Sequence, residues 1–105
     1  MATVANVPDK HRYEISVDGE VAGFTEYVDR GGQRIFFHTE VDPRFAGQGL
    51  ASALITDALT DTRGAGKRIV PVCPFVAKHV NKHHDFDDVV DAVTPDALAA
   101  VEANR

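Results

Sequence analysis

Cys73, His38 and a glycine loop are the features of this sequence whose chemistry goes beyond packing. Cys73 closes the apolar run Val70-Pro71-Val72-Cys73. A thiol there serves as nucleophile or proton donor if a helix N-terminus or a nearby imidazole stabilises its thiolate, and otherwise as a small buried hydrophobe. His38 stands in Phe36-Phe37-His38-Thr39-Glu40-Val41. It reads either as a general base or as a hydrogen-bonded core histidine. The segment Arg44-Phe45-Ala46-Gly47-Gln48-Gly49-Leu50-Ala51 joins a strand pattern to the start of a helical one. Free amides and the positive helix end point into such a loop, and glycines let a phosphate approach the main chain. An ordinary strand-to-helix turn is the alternative.

The loop fits neither common nucleotide fingerprint. A nucleoside triphosphatase loop ends in Gly-Lys-Ser/Thr where this chain has Gly49-Leu50-Ala51, and a dinucleotide loop needs a further spaced glycine after a first strand. His79 and His83 are spaced i, i+4, with His84 adjacent. Without a second cysteine or an HExxH pattern, and with Lys78 and Lys82 alongside, they read as a cationic last turn that complements the helix dipole, not as a metal site. A bridge from Lys78 or Lys82 to a ribose phosphate is the other use open to them. Asp85, Asp87, Asp88 and Asp91 read as a solvated turn and not a metal loop.

These residues need elements to position them. Tyr13, Ile15 and Val17 alternate with Arg12, Glu14 and Ser16 ahead of Asp18-Gly19, and the run from Val21 to Val28 completes a hairpin signature. After Asp29-Arg30-Gly31-Gly32 comes a third strand, Arg34 to Val41, whose strict alternation sets Ile35, Phe37, Thr39 and Val41 on one face, and Phe36 and His38 on the other. Leu50, Leu54 and Ala58, with Ala51, Ile55 and Leu59, form the apolar stripe of a helix from about Gly49 to Arg63, ended by Gly64 and Gly66. Ile69 to Cys73 reads as a buried strand parallel to its neighbour. Pro71 lacks an amide donor, so that strand is at an edge, bulged, or parted from its neighbour near its C-terminal end. A short helix from Phe75 to His83 and a terminal helix opened by Thr94-Pro95 follow. The order βββαβα gives an α+β (mixed α/β) class, with weak order expected only at the two ends.

Composition narrows the function further. The 105 residues suit one domain spanning 1–105 with one core. One cysteine excludes a disulfide framework and suits a reducing cytoplasm. A net charge of -5 disfavours nucleic acid as a partner. No apolar run approaches the roughly 20 residues of a membrane span, and the N-terminus lacks the pattern of a secretory signal.

The pattern Arg44-x-x-Gly47-x-Gly49 between strand and helix, HTEVDPRFAGQGLASAL from His38 to Leu54, and VPVCPFV from Val70 to Val76 together resemble a compact form of the GNAT superfamily of N-acetyltransferases. The resemblance covers most of the chain. It implies a minimal GNAT-like fold and acetyl-CoA as co-substrate, with no metal. Val41, Arg44, Phe45, Ala46, Gly47, Gln48, Gly49, Leu50 and Ala51 would hold the cofactor, the main-chain amides of Phe45 to Ala51 taking the pyrophosphate and the Arg44 side chain adding charge-assisted bonds. The pantetheine arm would lie between the third strand and the Ile69 to Cys73 strand, with an at least partly accessible Cys73 and His38 near the acetyl group as catalytic residues. Asp18-Gly19 leaves no room for the two helices that usually follow the first strand and shape the acceptor pocket. The acceptor, a small-molecule or a protein amine, therefore stays open, as does a non-enzymatic acyl-CoA-binding or protein-interaction module.

Overall fold

A computed structural model describes residues 2–104; the end positions of the expected 1–105 domain lie outside the described residues. The chain forms β1 (Ala2–Val7), β2 (Arg12–Val17), β3 (Glu20–Arg30), β4 (Gln33–Val41), α1 (Leu50–Gly64), β5 (Arg68–Pro71), α2 (Pro74–Lys82) and α3 (Pro95–Ala103), with short 3-10 turns at Pro8–Lys10, Pro43–Phe45 and His84–Val89. The five strands make one sheet in the order β1-β2-β3-β4-β5. β1 to β4 pair antiparallel and β4 pairs β5 in parallel, with α1 connecting the last two.

β1 corrects the expectation of a weakly ordered N-terminus. Its ladder to β2 runs from Ala2↔Val17 to Val7↔Arg12, and the Tyr27 hydroxyl donates to Asn6 Oδ1 at 2.7 Å. As an edge strand with mostly exposed side chains, it is held by main-chain pairing and lacks the alternating hydrophobic pattern that would reveal it in sequence.

The main core lies between one sheet face and α1 and α2. Tyr13, Ile15 and Phe36 from the sheet meet Leu54, Ala58, Leu59 and Val76 from the helices, all nearly inaccessible to water. Each large aliphatic buried this way contributes about 1.5–3 kcal/mol. α3 covers part of the opposite face, where Ala97 and Val101 pack on Val28, Ile35 and Val70. Thr94 caps α3 by accepting from the Ala97 amide at 3.1 Å.

At the end of the sheet carrying the β3–β4 turn, the core holds a buried cation. Arg34 donates to both carboxylate oxygens of Asp29 (2.8 and 3.1 Å) and to the Tyr13 hydroxyl (2.7 Å), and its guanidinium lies 4.3 Å from the Tyr27 ring centre. Tyr13 in turn donates to Asp61 of α1 at 2.5 Å. Burial first, and the Asp61 hydrogen bond second, push the Tyr13 phenol up to about 12. Along β5, the Asp91 carboxylate accepts from Gln33 Nε2 (2.8 Å) and Arg68 Nε (2.7 Å), while the Asp91 amide donates to the Ile69 carbonyl. Asp91 therefore ties down a strand edge, where the sequence suggests only a solvated turn.

Candidate functional site

The β4–β5 ladder covers four residue pairs, Gln33↔Arg68 to Phe36↔Pro71, and then stops. Pro71 has no amide to continue it. The Val72 amide turns back to the Val70 carbonyl at 3.1 Å, and the Cys73 amide makes a last bond to the Phe36 carbonyl at 2.8 Å. β5 thus ends two residues earlier than the Ile69 to Cys73 strand expected from sequence, and Cys73 instead occupies the N-cap position of α2. Phe37 to Val41 carry β4 onward without a partner on that side, so the sheet opens there into a cleft. Pro71 is both the end of an edge strand and the parting point.

The register between β3 and β4 shifts from Glu26↔His38 to Tyr27↔Phe36, leaving Phe37 as an extra residue, a β-bulge. The bulge breaks the strict alternation read from the sequence. Thr39 joins Phe36 on the α1 side, bonded to Thr25 Oγ1 at 2.9 Å and to Cys73 Sγ at 3.2 Å. His38 is carried to the opposite side, half-exposed, with its Nε2 2.9 Å from Glu40 Oε1 and its ring 6.1 Å from that of Phe24. His38 and Cys73 therefore flank the cleft from opposite sides of the sheet. Cys73 is 1% exposed, which corrects the expectation of partial accessibility.

Beside His38 lies a depression of about 650 Å³ lined by Glu26, Phe37, Val72, Leu98, Val101, Glu102 and Asn104. Its floor is apolar and its charged lining groups are carboxylates, which suit a cationic or amine-bearing molecule. The exposed Leu98 belongs to this wall.

On the α1 side, the loop after β4 takes the shape the sequence suggests. Asp42 caps the Pro43–Phe45 turn by accepting from the Arg44 amide at 2.9 Å. Gly47 and Gly49 have φ of +82° and +70°, a region L side chains rarely adopt. A Cβ built on either meets nothing within 4 Å, so both face open space. Gly49 is the N-cap of α1 and supplies no capping side chain, which leaves the amides of the first helical turn available to an anion. A cavity of about 280 Å³ in front of them is lined by Val41, Asp42, Pro43, Phe45, Ala46, Gly47, Gly49, Leu50 and Ala51, the Asp42 carboxylate being occupied by the Arg44 amide and guanidinium. An uncapped helix start behind two glycines suits a pyrophosphate. Gln48 is exposed outside that lining. The Arg44 guanidinium also lies outside it, bound to Asp42 and Glu20, and its hydrogen bonds hold the Asp42 carboxyl below the usual carboxylate range. Phe75, 55% exposed on α2, forms the far wall. Sequence reasoning missed it as a site residue, although an exposed phenyl at the first turn of a helix beside a glycine loop was the available signal.

Among the described residues, no group of three or more His, Cys, Asp or Glu side chains is arranged to hold a metal. Nor is any described helix long and apolar enough to cross a membrane.

Residues 12–89, from β2 through the turn after α2, match the family model of the GCN5-related N-acetyl-transferases. The chain belongs to that family. Its fold is shared with a GCN5-like candidate N-acetyltransferase from Staphylococcus aureus (TM-score 0.64, 19% identity, covering 89% of this chain and 91% of that one). It is also similar to the ribosomal-protein-alanine N-acetyltransferase of Brucella melitensis biovar Abortus 2308 (TM-score 0.52, 26% identity, covering 79% of this chain and 63% of that one). A further likeness is to the ribosomal-protein-S18-alanine N-acetyltransferase of Escherichia coli (TM-score 0.53, 22% identity, covering 55% of this chain and 38% of that one). This GCN5-related chain thus spans little more than a third of the Escherichia coli enzyme's length. No curated protein matches it. The strand that runs into β3 through Asp18 and Gly19 is the second of the sheet and not, as expected from the sequence, the first; the first, β1, is followed by β2 after the short 3-10 turn Pro8–Lys10, with no helix pair between them.

Proposed function

We infer that the protein is an acetyl-CoA-dependent N-acetyltransferase acting on an amine. The observation that carries this reading is the parting of β4 from β5 beside a loop whose Gly47 and Gly49 adjoin open space, within a family of acetyl transferases. The amides of Gly47 to Ala51 are the seat for the pyrophosphate, and the cleft between Phe37–Val41 and Val72–Phe75 takes the pantetheine arm. When bound, acetyl-CoA supplies an acetyl group activated as a thioester.

The acceptor amine enters from the His38 side, through the depression bounded by Glu26 and Glu102. His38 takes a proton from the amine nitrogen, with Glu40 stabilising the imidazolium. The nitrogen's lone pair forms the N–C bond while the C–S bond breaks. Cys73, on the other side, returns a proton to the leaving sulfur and is itself reprotonated by solvent before the next turnover. The opposition of His38 and Cys73 across β4 supports this direct route over one in which Cys73 is acetylated first, because His38 does not face the thiol it would have to deprotonate. The α1-side burial of Cys73 points the same way.

Acetyl transfer to a panel of small and peptide amines, followed by mass, tests the activity. Thermal unfolding with acetyl-CoA at 100 times its dissociation constant should show stabilisation of about 2.7 kcal/mol. Binding with no transfer to any amine would leave an acyl-CoA-binding module, and absence of both would overturn the reading.

A further inference from the structure

The depression beside His38 has walls of two kinds. Phe37 of β4, Val72 just past β5, and Leu98 and Val101 of α3 line it with apolar groups, while Glu26, Glu102 and Asn104 bring polar ones. Glu26 and His38 are direct partners across β3 and β4, so the carboxylate stands beside the imidazole on the same face, one strand farther from β5. The other carboxylate next to His38 is already in use: Glu40 Oε1 lies 2.9 Å from its Nε2. Glu26 is not. Its neighbour on β2, Arg12, turns its guanidinium to Glu14 (2.7 and 2.8 Å) and lays it 4.4 Å from the Phe24 ring centre. Among the described residues Glu26 makes no hydrogen bond or ion pair. A half-buried carboxylate with no partner loses solvation without compensation, and a cation brought into the depression makes good that loss.

The sheet order sets how far such a cation lies from the reaction. With the thioester in the parting of β4 from β5 and Glu26 on β3, a molecule that reaches from one to the other crosses β4 and spans about 7 Å, one and a half strand spacings. One end must be a reactive nitrogen and the other a positive charge. Between them, methylenes suit Phe37, Val72, Leu98 and Val101. A peptide suits them poorly, because its amide groups would be desolvated against those side chains with Asn104 as the one side-chain amide in the described lining. We propose that the acceptor is an aliphatic diamine, one nitrogen reacting beside His38 while Glu26 holds the other as an ammonium. Glu102 and the net charge of -5 add to the potential that draws a dication in. The proposal rests on reading the chain as an acetyl-CoA-dependent N-acetyltransferase. The reacting nitrogen, having shed its ammonium proton to solvent, gives another to His38 as its lone pair takes the acetyl carbon. The thioester C–S bond breaks, the sulfur takes the Cys73 proton to leave as coenzyme A thiol, and the far nitrogen departs still an ammonium. Glu26 is thus a specificity-determining residue that takes no proton.

Steady-state acetylation of pentamethylenediamine, pentylamine and a peptide with a single lysine tests this, together with calorimetric titration of each amine into protein saturated with coenzyme A. The first two share a chain and differ in the second charge. For wild type, kcat/KM for the diamine should exceed that for pentylamine at least ~10-fold, mainly through KM. Glu26→Gln should bring the diamine down to the pentylamine value in both turnover and calorimetric binding. Pentylamine turnover, coenzyme A affinity and the unfolding scan of that variant should match wild type, because Glu26 holds no partner in the free protein. Equal kcat/KM for the two amines, a preference for the peptide, or an equal loss for both amines in the variant overturns the diamine assignment and leaves acetyl transfer standing. If no amine is acetylated but the diamine binds in a Glu26-dependent manner, the cation site stands and the transferase reading falls. If nothing is acetylated and nothing binds, both are wrong.

Discussion

The two ends of β4 are built to different rules. From Gln33 to Phe36 the strand is paired on both sides, and its neighbourhood is locked by the buried Arg34, which satisfies Asp29 and Tyr13 at once while Tyr13 reaches Asp61 on α1. From Phe37 to Val41 it is paired on one side only, carries a bulge, and opens onto cavities on both faces. The paired end holds α1 and β2 against β4, so the parted end can leave main-chain groups uncommitted without loss of the fold. Rigidity at one end of a strand supports access at the other. Substitutions at the two ends should therefore separate cleanly into stability effects and function effects.

The largest expected effect is at the parted end. His38→Gln keeps a polar group facing Glu40 but removes the base, and should lower kcat by about 10²-fold or more with little change in melting temperature or in acetyl-CoA affinity. Rate measurement on a proven amine acceptor checks it. Full turnover in the variant would move the base elsewhere and reduce His38 to a surface residue.

Next comes the paired end. Arg34→Ala strips Asp29 of a bidentate partner, leaves Tyr13 without its cation, and opens space beside Tyr27. Because Asp29 is partly exposed, water recovers some of its solvation, and the expected loss is about 2–3 kcal/mol, read by denaturant unfolding. Coenzyme A affinity of the folded fraction should be unchanged. A combined loss of stability and affinity would mean that the two ends are coupled.

Glycines sharpen the contrast within the parted end itself. Gly47→Val meets no steric obstacle in the free protein; its cost comes from positive φ, about 1–2 kcal/mol. The blocked approach of pyrophosphate should add a loss of at least ~10-fold in acetyl-CoA affinity. Gly23→Ala behaves in the opposite way. Its Cβ would come within 2.7 Å of the Glu40 carbonyl oxygen and 3.2 Å of Val41, so strand pairing must shift, at about 1–3 kcal/mol of stability. Calorimetric titration and chemical unfolding of both variants distinguish a glycine that admits a ligand from one that admits a neighbouring strand.

The paired end was largely legible in the sequence, and the parted end only in outline. β2, β3 and α1 follow hydrophobic periods of two and of 3.6 residues, and Pro71 announced the end of the ladder. The positions of the glycine loop could be read because a strand, two glycines and an amphipathic stripe occur in order. A bulge leaves no comparable trace. One extra residue at Phe37 reverses the face of His38 relative to Phe36, and no period in FFHTEV reports it. Arg34 was hidden for the reverse reason: as the first residue of an alternating run it reads as a solvated terminus, and only the arrival of Asp29, Tyr13 and Tyr27 from neighbouring positions makes burial affordable.

The smallest effects are those of pH, and they divide between the same two ends. At the paired end the Tyr13 phenol, pushed up to about 12 by burial and Asp61, keeps its proton in the folded chain above pH 10, where an unfolded tyrosine begins to lose it. That stability is fully present below pH 10 and is lost as pH rises towards 12; Tyr13→Phe should shrink this alkaline limb to the part left by Tyr27, whose phenol is also raised, chiefly by burial. At His79 on α2 the sign is reversed. His79 is depressed by burial, then by His83, so between its folded pKa and about 6.5 the unfolded chain binds more protons, and stability falls as pH is lowered through that window. Besides burial, the charged groups acting on it are His83 at the end of α2 and Asp85 just beyond, of which Asp85 alone favours its protonation, and Thr56 Oγ1 of α1 lies 3.4 Å from its Nε2. Asp42 and Asp91 are depressed from 3.8 and lose their contributions only below that value, leaving the histidine window clear of them. His79→Gln should flatten unfolding stability on the acid side of about pH 6.5, read by denaturant unfolding at a series of pH values.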